Sequence, residues 1–179
     1  MKKLFAILAL GMATSTFAAD YVSVDVENVT GRKGASNSTA QYVRAGKEID
    51  GIQYGLQSRV ANIDNNGGTL SSLEVTAGKN FSGFTPYVGV GHDNGLNGNS
   101  PFNYGLVGGQ YGVKAGPGFA LAGVKTRVAS TEKNMTHQTI AYATYSIPVA
   151  KQVAVNLNVS RSYQDIKENA VGVGVGFSF

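Results

Sequence analysis

The sequence predicts an all-β protein, a closed antiparallel up-and-down transmembrane β-barrel. Three observations carry that reading. The stretch Ala170-Val-Gly-Val-Gly-Val-Gly-Phe-Ser-Phe179 alternates strictly, with Val171, Val173, Val175, Phe177 and Phe179 on one face and only small residues on the other. Its period is two, which no helix can use. The same alternation recurs along the chain between clusters of Gly, Asn, Asp and Ser. Beyond the N-terminus, no apolar run is long enough to cross a bilayer as a helix.

The N-terminus reads as a secretory signal peptide. Lys2 and Lys3 precede the apolar run 4–10, and small residues lead to Ala18 and Ala19. The expected organisation is a cleaved segment, 1–18, followed by one barrel domain, 19–179. Cleavage would remove two of the 15 basic residues, leaving them narrowly ahead of the 11 acids. With no Lys/Arg cluster, that charge gives no reason to expect nucleic acid. The chain has no cysteine, so neither a disulfide framework nor thiolate chemistry is available.

The strands follow in order. In 21–30, Val22, Val24 and Val26 oppose Ser23, Asp25 and Glu27. The segment 39–46 has two equally apolar faces, so its orientation stays open. Residues 47–50 read as a tight turn. In 51–61, Ile52, Tyr54, Leu56 and Val60 oppose Gln53, Gln57 and Arg59; in 69–81, Leu73, Val75 and Ala77 oppose Glu74 and Thr76. Between these two lies an Asn/Asp/Gly loop. After a turn at 82–84, the strand 85–93 sets Pro86, Val88 and Val90 against Tyr87, Gly89 and Gly91. A proline near a strand start is tolerated at a rim. Strands at 103–114, 119–128, 136–146 and 152–163 follow, with turns at 115–118 and 147–151. The last strand pairs with 21–30 to close the barrel, setting its glycines against Ser23, Asp25 and Glu27.

That makes ten strands. Eight is the alternative, if 21–46 is not a hairpin. An even number puts both termini on one side, and short turns alternate with longer polar loops, as in outer-membrane barrels. A soluble β-sandwich could use the same alternation. Phe179 after four alternating apolar positions favours the barrel, as do the aromatics Tyr54, Phe81, Tyr145, Tyr163, Phe177 and Phe179 near strand ends. Lipid offers no partner to unpaired backbone, so a spanning sheet must close on itself.

The signal peptide, the alternating strands, Thr85-Pro-Tyr-Val-Gly-Val-Gly91 and the terminal stretch together resemble a small Gram-negative outer-membrane β-barrel of the OmpA/OmpX class. The resemblance covers essentially all of 19–179. It implies residence in the cell outer membrane, a monomer, and no cofactor or metal. Its implied partners are outer-membrane lipid and lipopolysaccharide, periplasmic chaperones and the barrel assembly machinery. That machinery would read Val171, Val173, Val175, Phe177 and Phe179. The class carries no single activity, since its members are structural proteins, adhesins, narrow pores and enzymes.

Candidate chemistry is sparse. His92 and His137 are the only histidines. His92-Asp93 is the one adjacent pair suited to omptin-like proteolysis, and Ser130, Thr131 or Thr136 with Glu132 or Asp93 would have to serve His137 in a nucleophilic site. Neither forms a recognisable motif, so no catalysis is expected. The inward charges Asp25, Glu27, Arg59, Glu74, Lys125 and Arg127, joined by Arg44 if its strand faces that way, are the candidate site. Asp25 is expected near Arg44, and Arg59 near Glu74. Buried charges need partners. The expected role is therefore structural or one of surface interaction, over a salt-bridged lumen. The alternatives are a narrow, weakly selective pore lined by these charges, or a barrel enzyme acting on lipid or peptide.

Overall fold

The computed structural model describes residues 20–31, 37–64, 68–95, 101–129, 138–164 and 167–179. The expected signal peptide, His137 and 130–136 lie outside the described residues. Ten strands form one closed sheet: β1 (Tyr21–Gly31), β2 (Ser38–Ile49), β3 (Ile52–Ile63), β4 (Gly68–Lys79), β5 (Phe84–Asp93), β6 (Phe102–Ala115), β7 (Gly118–Ala129), β8 (Gln138–Ala150), β9 (Val153–Gln164) and β10 (Glu168–Ser178). Each pairs with its sequence neighbours, and β1 pairs with β10, all antiparallel. The count is ten and not eight, because β1 and β2 are a true hairpin partnered from Tyr21↔Gly46 to Val29↔Ser38. The closing register sets Ser23, Asp25 and Glu27 opposite Gly176, Gly174 and Gly172, as the alternation predicts.

The turns are tighter than expected from sequence. The predicted turn at 47–50 shrinks to Asp50-Gly51, both with positive φ (52° and 75°), between the last strand pair Ile49↔Ile52. Ser82-Gly83 repeats this with φ of 53° and 95°, closed by a Phe81↔Phe84 bridge. Two successive left-handed residues give the turn whose twist matches that of the flanking strands. Lys47 thereby becomes a strand residue, with its ammonium 2.7 Å from Asp20.

Facing follows from the pleat. In β2, whose orientation the sequence left open, Tyr42 and Arg44 point inward while Gln41 and Val43 are exposed outside. The exterior carries Val43, Leu56, Val75, Val88, Val107, Val124, Leu157 and Val173, all exposed on the outer face. Such a belt far exceeds the apolar patch of a few hundred Å² that a soluble monomer tolerates. The polar side chains face in. The polarity is thus that of a barrel with lipid outside.

Toward the long-loop end the pattern reverses on β10, β1, β2, β3 and β4. Asn28, Thr30, Thr39, Gln41, Asn62 and Thr69 are exposed outside, while Val29, Ala40, Ala61 and Ala170 form a small apolar core inside, joined by Tyr42 and Leu70. Water outside and apolar contact inside is ordinary soluble-protein polarity. This sector therefore reads as a collar standing beyond the lipid. Tyr54, Phe81, Phe84, Tyr111 and Phe179 are exposed at the opposite, short-turn end. Tyr163 is the counterpart at the loop end.

Candidate functional site in the barrel lumen

Strand pairing places the inward charges at mid-height, and all seven that the sequence singles out line the lumen. Asp25 and Glu27 come from β1. Arg44, on β2, lies opposite Ser23 and reaches diagonally to both acids: Nη1 donates to Asp25 Oδ2 at 2.6 Å, and Nη2 to Glu27 Oε1 at 3.0 Å. Asp25 also accepts from Ser23 Oγ at 2.9 Å and from Asn158 Nδ2 at 2.9 Å. Asn156 Nδ2 adds a longer bond at 3.5 Å, and because Asp25 is 1% exposed its carboxylate depends on these protein donors.

The second cluster surrounds Glu74. Lys125 Nζ donates to Oε2 at 2.5 Å and Tyr104 OH to Oε1 at 3.0 Å, and the Arg127 guanidinium pairs with Oε1. Arg127 Nη1 also donates to Gln138 Oε1 at 2.9 Å. Sequence spacing suggested Arg59 as the partner of Glu74, and this is corrected. The register sets Arg59 between Tyr42 and Ser72, and sets Gln57 opposite Glu74. Two cations reaching across the lumen from β7 occupy the carboxylate instead. Pairing across a barrel cannot be read from one hairpin.

Gln57 joins the clusters. Its Oε1 accepts from Arg44 Nε at 3.0 Å, and its Nε2 donates to Glu74 Oε2 at 3.3 Å. A continuous polar chain therefore runs from Asn158 through Asp25, Arg44, Gln57 and Glu74 to Lys125 and Arg127. Arg59 stands outside it. Its guanidinium lies 5.9 Å from the Tyr42 ring centroid, and its Nε is buried with no hydrogen-bond partner.

Inner glycines make room for these groups. A methyl group at Gly174 would stand 1.9 Å from Asp25 Oδ1, and one at Gly91 would stand 2.3 Å from the Tyr104 ring. The Tyr142 ring lies across Gly123 in the same way, and its hydroxyl reaches Tyr87 and Gln110, each at 3.0 Å. Large side chains thus lie flat over neighbours that lack one. The alternation of glycine with valine in the last strand is half of that arrangement.

The pleat separates the one adjacent histidine–acid pair. His92 is exposed on the outer face and contacts Asn103 at 2.8 Å, whereas Asp93 is buried on the inner face, its carboxylate accepting from Gly95 N at 3.0 Å. Adjacent strand residues point to opposite sides of the wall, so this pair cannot act as a dyad. Sequence reasoning missed Gln57, Tyr104, Asn158 and the apolar collar. The collar had a signal in the switch at Val29, flanked by Asn28 and Thr30; Gln57 had none, because its role depends on partners from two other strands.

No protein-family model matches this chain, and no curated protein matches it. Among solved structures it is similar to Neisserial surface protein A, at 14% identity over 89% of this chain and 97% of that one, with a TM-score of 0.48. It is also similar to the translocator domain of the autotransporter NalP from Neisseria meningitidis, at 14% identity over 89% and 88% with a TM-score of 0.48. The KdgM porin is similar at 13% identity over 88% and 99%, with a TM-score of 0.49.

Proposed function

We propose that this chain is an outer-membrane β-barrel that serves the envelope structurally, or by surface interaction through its long loops, without carrying out catalysis. The observation that carries the reading is the polar chain across the lumen, which ties β9, β1, β2, β3, β4 and β7 together by hydrogen bonds and ion pairs. Narrow barrels are filled by their own side chains, and aqueous channels belong to larger ones. The apolar belt supports a place in lipid, with the loop-end collar outside and the short turns in the periplasm. Its partners on this reading are outer-membrane lipid and lipopolysaccharide around the belt. On the assembly route they are periplasmic chaperones and the barrel assembly machinery, the latter engaging Val171, Val173, Val175, Phe177 and Phe179.

Planar-bilayer recording tests the closed lumen. The folded protein should insert without stable single-channel steps. Reproducible steps whose size changes with Arg59→Ala or Lys125→Ala would establish a narrow pore instead. Recovery from the outer-membrane fraction, with gel migration in detergent that changes on heating, is expected. A soluble periplasmic protein would overturn the location.

A further inference from the structure

One sector of the outer wall carries a charge at the upper edge of the apolar belt. Arg161 of β9 is exposed on that face, and its guanidinium carbon lies 5.6 Å from the Tyr163 ring centroid. Two residues toward the turns, Val159 is 52% exposed, and its partner Val171 on β10 is 65% exposed. Opposite Arg161 stand Asn169 on β10 and Ala141 on β8. Asn169 is paired in turn with Thr30 on β1. Farther round, Asn28, Thr39 and Gln41 are exposed on the same outer face.

The charge on this sector has one sign. From β8 through β9, β10 and β1 to β2, the acids among the described strand residues, Asp25, Glu27, Glu48 and Glu168, line the lumen and not the outer wall. Arg161 therefore has no acid beside it on the loop-end half of that wall, among the described strand residues. It stands where apolar wall gives way to polar wall, the height at which a lipid carries its head group. Long cationic side chains reach toward that level. A guanidinium beside an aromatic ring keeps the edge of its fork free, and that edge matches two oxygens of a phosphate. The neutral amides and hydroxyls alongside suit the hydroxyls of a sugar, and the valines below suit acyl chains. Anion, sugar and hydrocarbon in that order describe a phosphorylated glycolipid. A phospholipid would leave the amide patch unused.

Resting on the outer-membrane reading above, we infer that this sector is a docking surface for the phosphorylated glycolipid portion of lipopolysaccharide. Its phosphate is held by Arg161, its sugar lies along Asn169, Thr30 and Asn28, and its acyl chains run down Val159 and Val171. Tyr163 is a positioning residue that holds the guanidinium against the wall. The site is one-sided. Across the barrel the loop-end outer wall of β5 and β6 presents His92 and Asn103, which contact each other at 2.8 Å and offer no fixed charge.

The test titrates the folded protein in detergent micelles with bisphosphorylated lipid A or with phosphatidylglycerol, and counts bound lipid by native mass spectrometry. Wild-type protein should retain one lipid A at roughly tenfold lower concentration than phosphatidylglycerol requires. Arg161→Gln should remove most of that preference, and Arg161→Lys should restore only part, because the fork is lost. Asn169→Ala with Thr30→Ala should weaken lipid A and leave phosphatidylglycerol unchanged, and serves if Arg161→Gln does not fold. Lys79→Gln removes an exposed cation at the turn end and should change neither lipid. Equal retention of the two lipids by the wild type, lipid A retention unchanged by the folded Arg161 or Asn169/Thr30 variant, or an equal loss with Lys79→Gln would overturn the site alone. A wild-type chain that forms no heat-modifiable barrel would overturn the outer-membrane reading, and the site with it.

Discussion

Gln57 stands directly opposite Glu74 in the β3–β4 ladder and donates to it at 3.3 Å, while its carbonyl accepts from Arg44 at 3.0 Å. One neutral amide therefore spans two ion clusters that would otherwise be separate. Gln57→Leu is close in size and removes both bonds, leaving Arg44 Nε without an acceptor. The expected loss is about 1–3 kcal/mol, the usual cost of unsatisfied buried groups. Urea unfolding of the refolded protein in lipid vesicles measures it, and an unchanged midpoint would mean that the bridge contributes nothing.

Glu74 is the more sensitive position. It is 2% exposed and, among the described residues, is the only carboxylate in an ion pair with Lys125 and Arg127. Glu74→Gln strands two cations in the lumen, with an expected cost of about 3–5 kcal/mol. Adding Lys125→Met should recover part of that loss, because it removes one of the stranded charges. A double-mutant cycle over the two positions should show coupling of about 1 kcal/mol or more. Additive losses would refute the pairing.

Gly174 is demanded by close approach and Gly51 by backbone shape, and the two should respond differently. Alanine at Gly174 would drive its methyl into the Asp25 carboxylate, at the residue where the barrel closes. Alanine at Gly51 meets no atom within 4 Å and is penalised only by φ of 75°. Gly51→Ala should cost about 1 kcal/mol and still assemble. Gly174→Ala should reduce the fraction that reaches the heat-modifiable folded form. Equal folding yields for both on detergent gels would contradict this account.

The lipid boundary can be located by paired substitutions in one strand. Val173 lies mid-strand in the apolar belt and is 58% exposed, whereas Asn169 points the same way at the loop-end collar. Val173→Arg should destabilise the barrel in bilayers by about 2–4 kcal/mol, and Asn169→Arg by about 0–1 kcal/mol. Unfolding titrations in vesicles compare them. Equal penalties would place the collar inside the membrane.

The barrel wall was legible because its signal is local. Period-two alternation declares a strand from its own residues, and Gly172, Gly174 and Gly176 mark which face of β10 is inside. The closing pairs with Glu27, Asp25 and Ser23 follow once both strands are assigned. The turn limits were less legible. Asp50-Gly51 and Ser82-Gly83 are complete two-residue turns, but polar neighbours such as Lys47 made them look longer, although Lys47 is paired in the ladder opposite Tyr54.

By itself the sequence determined an antiparallel barrel, with a count of ten strands open only at the first hairpin, and the inward placement of Asp25, Glu27, Arg59, Glu74, Lys125 and Arg127. Only the tertiary structure decided that Arg44 faces in, that Glu74 takes Lys125 and Arg127, and that Arg59 is left to Tyr42. The reason is physical. Facing depends on the pleat of one strand and is written every second residue, whereas pairing across a lumen depends on the register of every strand between the partners. A shift of two residues in any hairpin would keep each side chain on its face and change every partner.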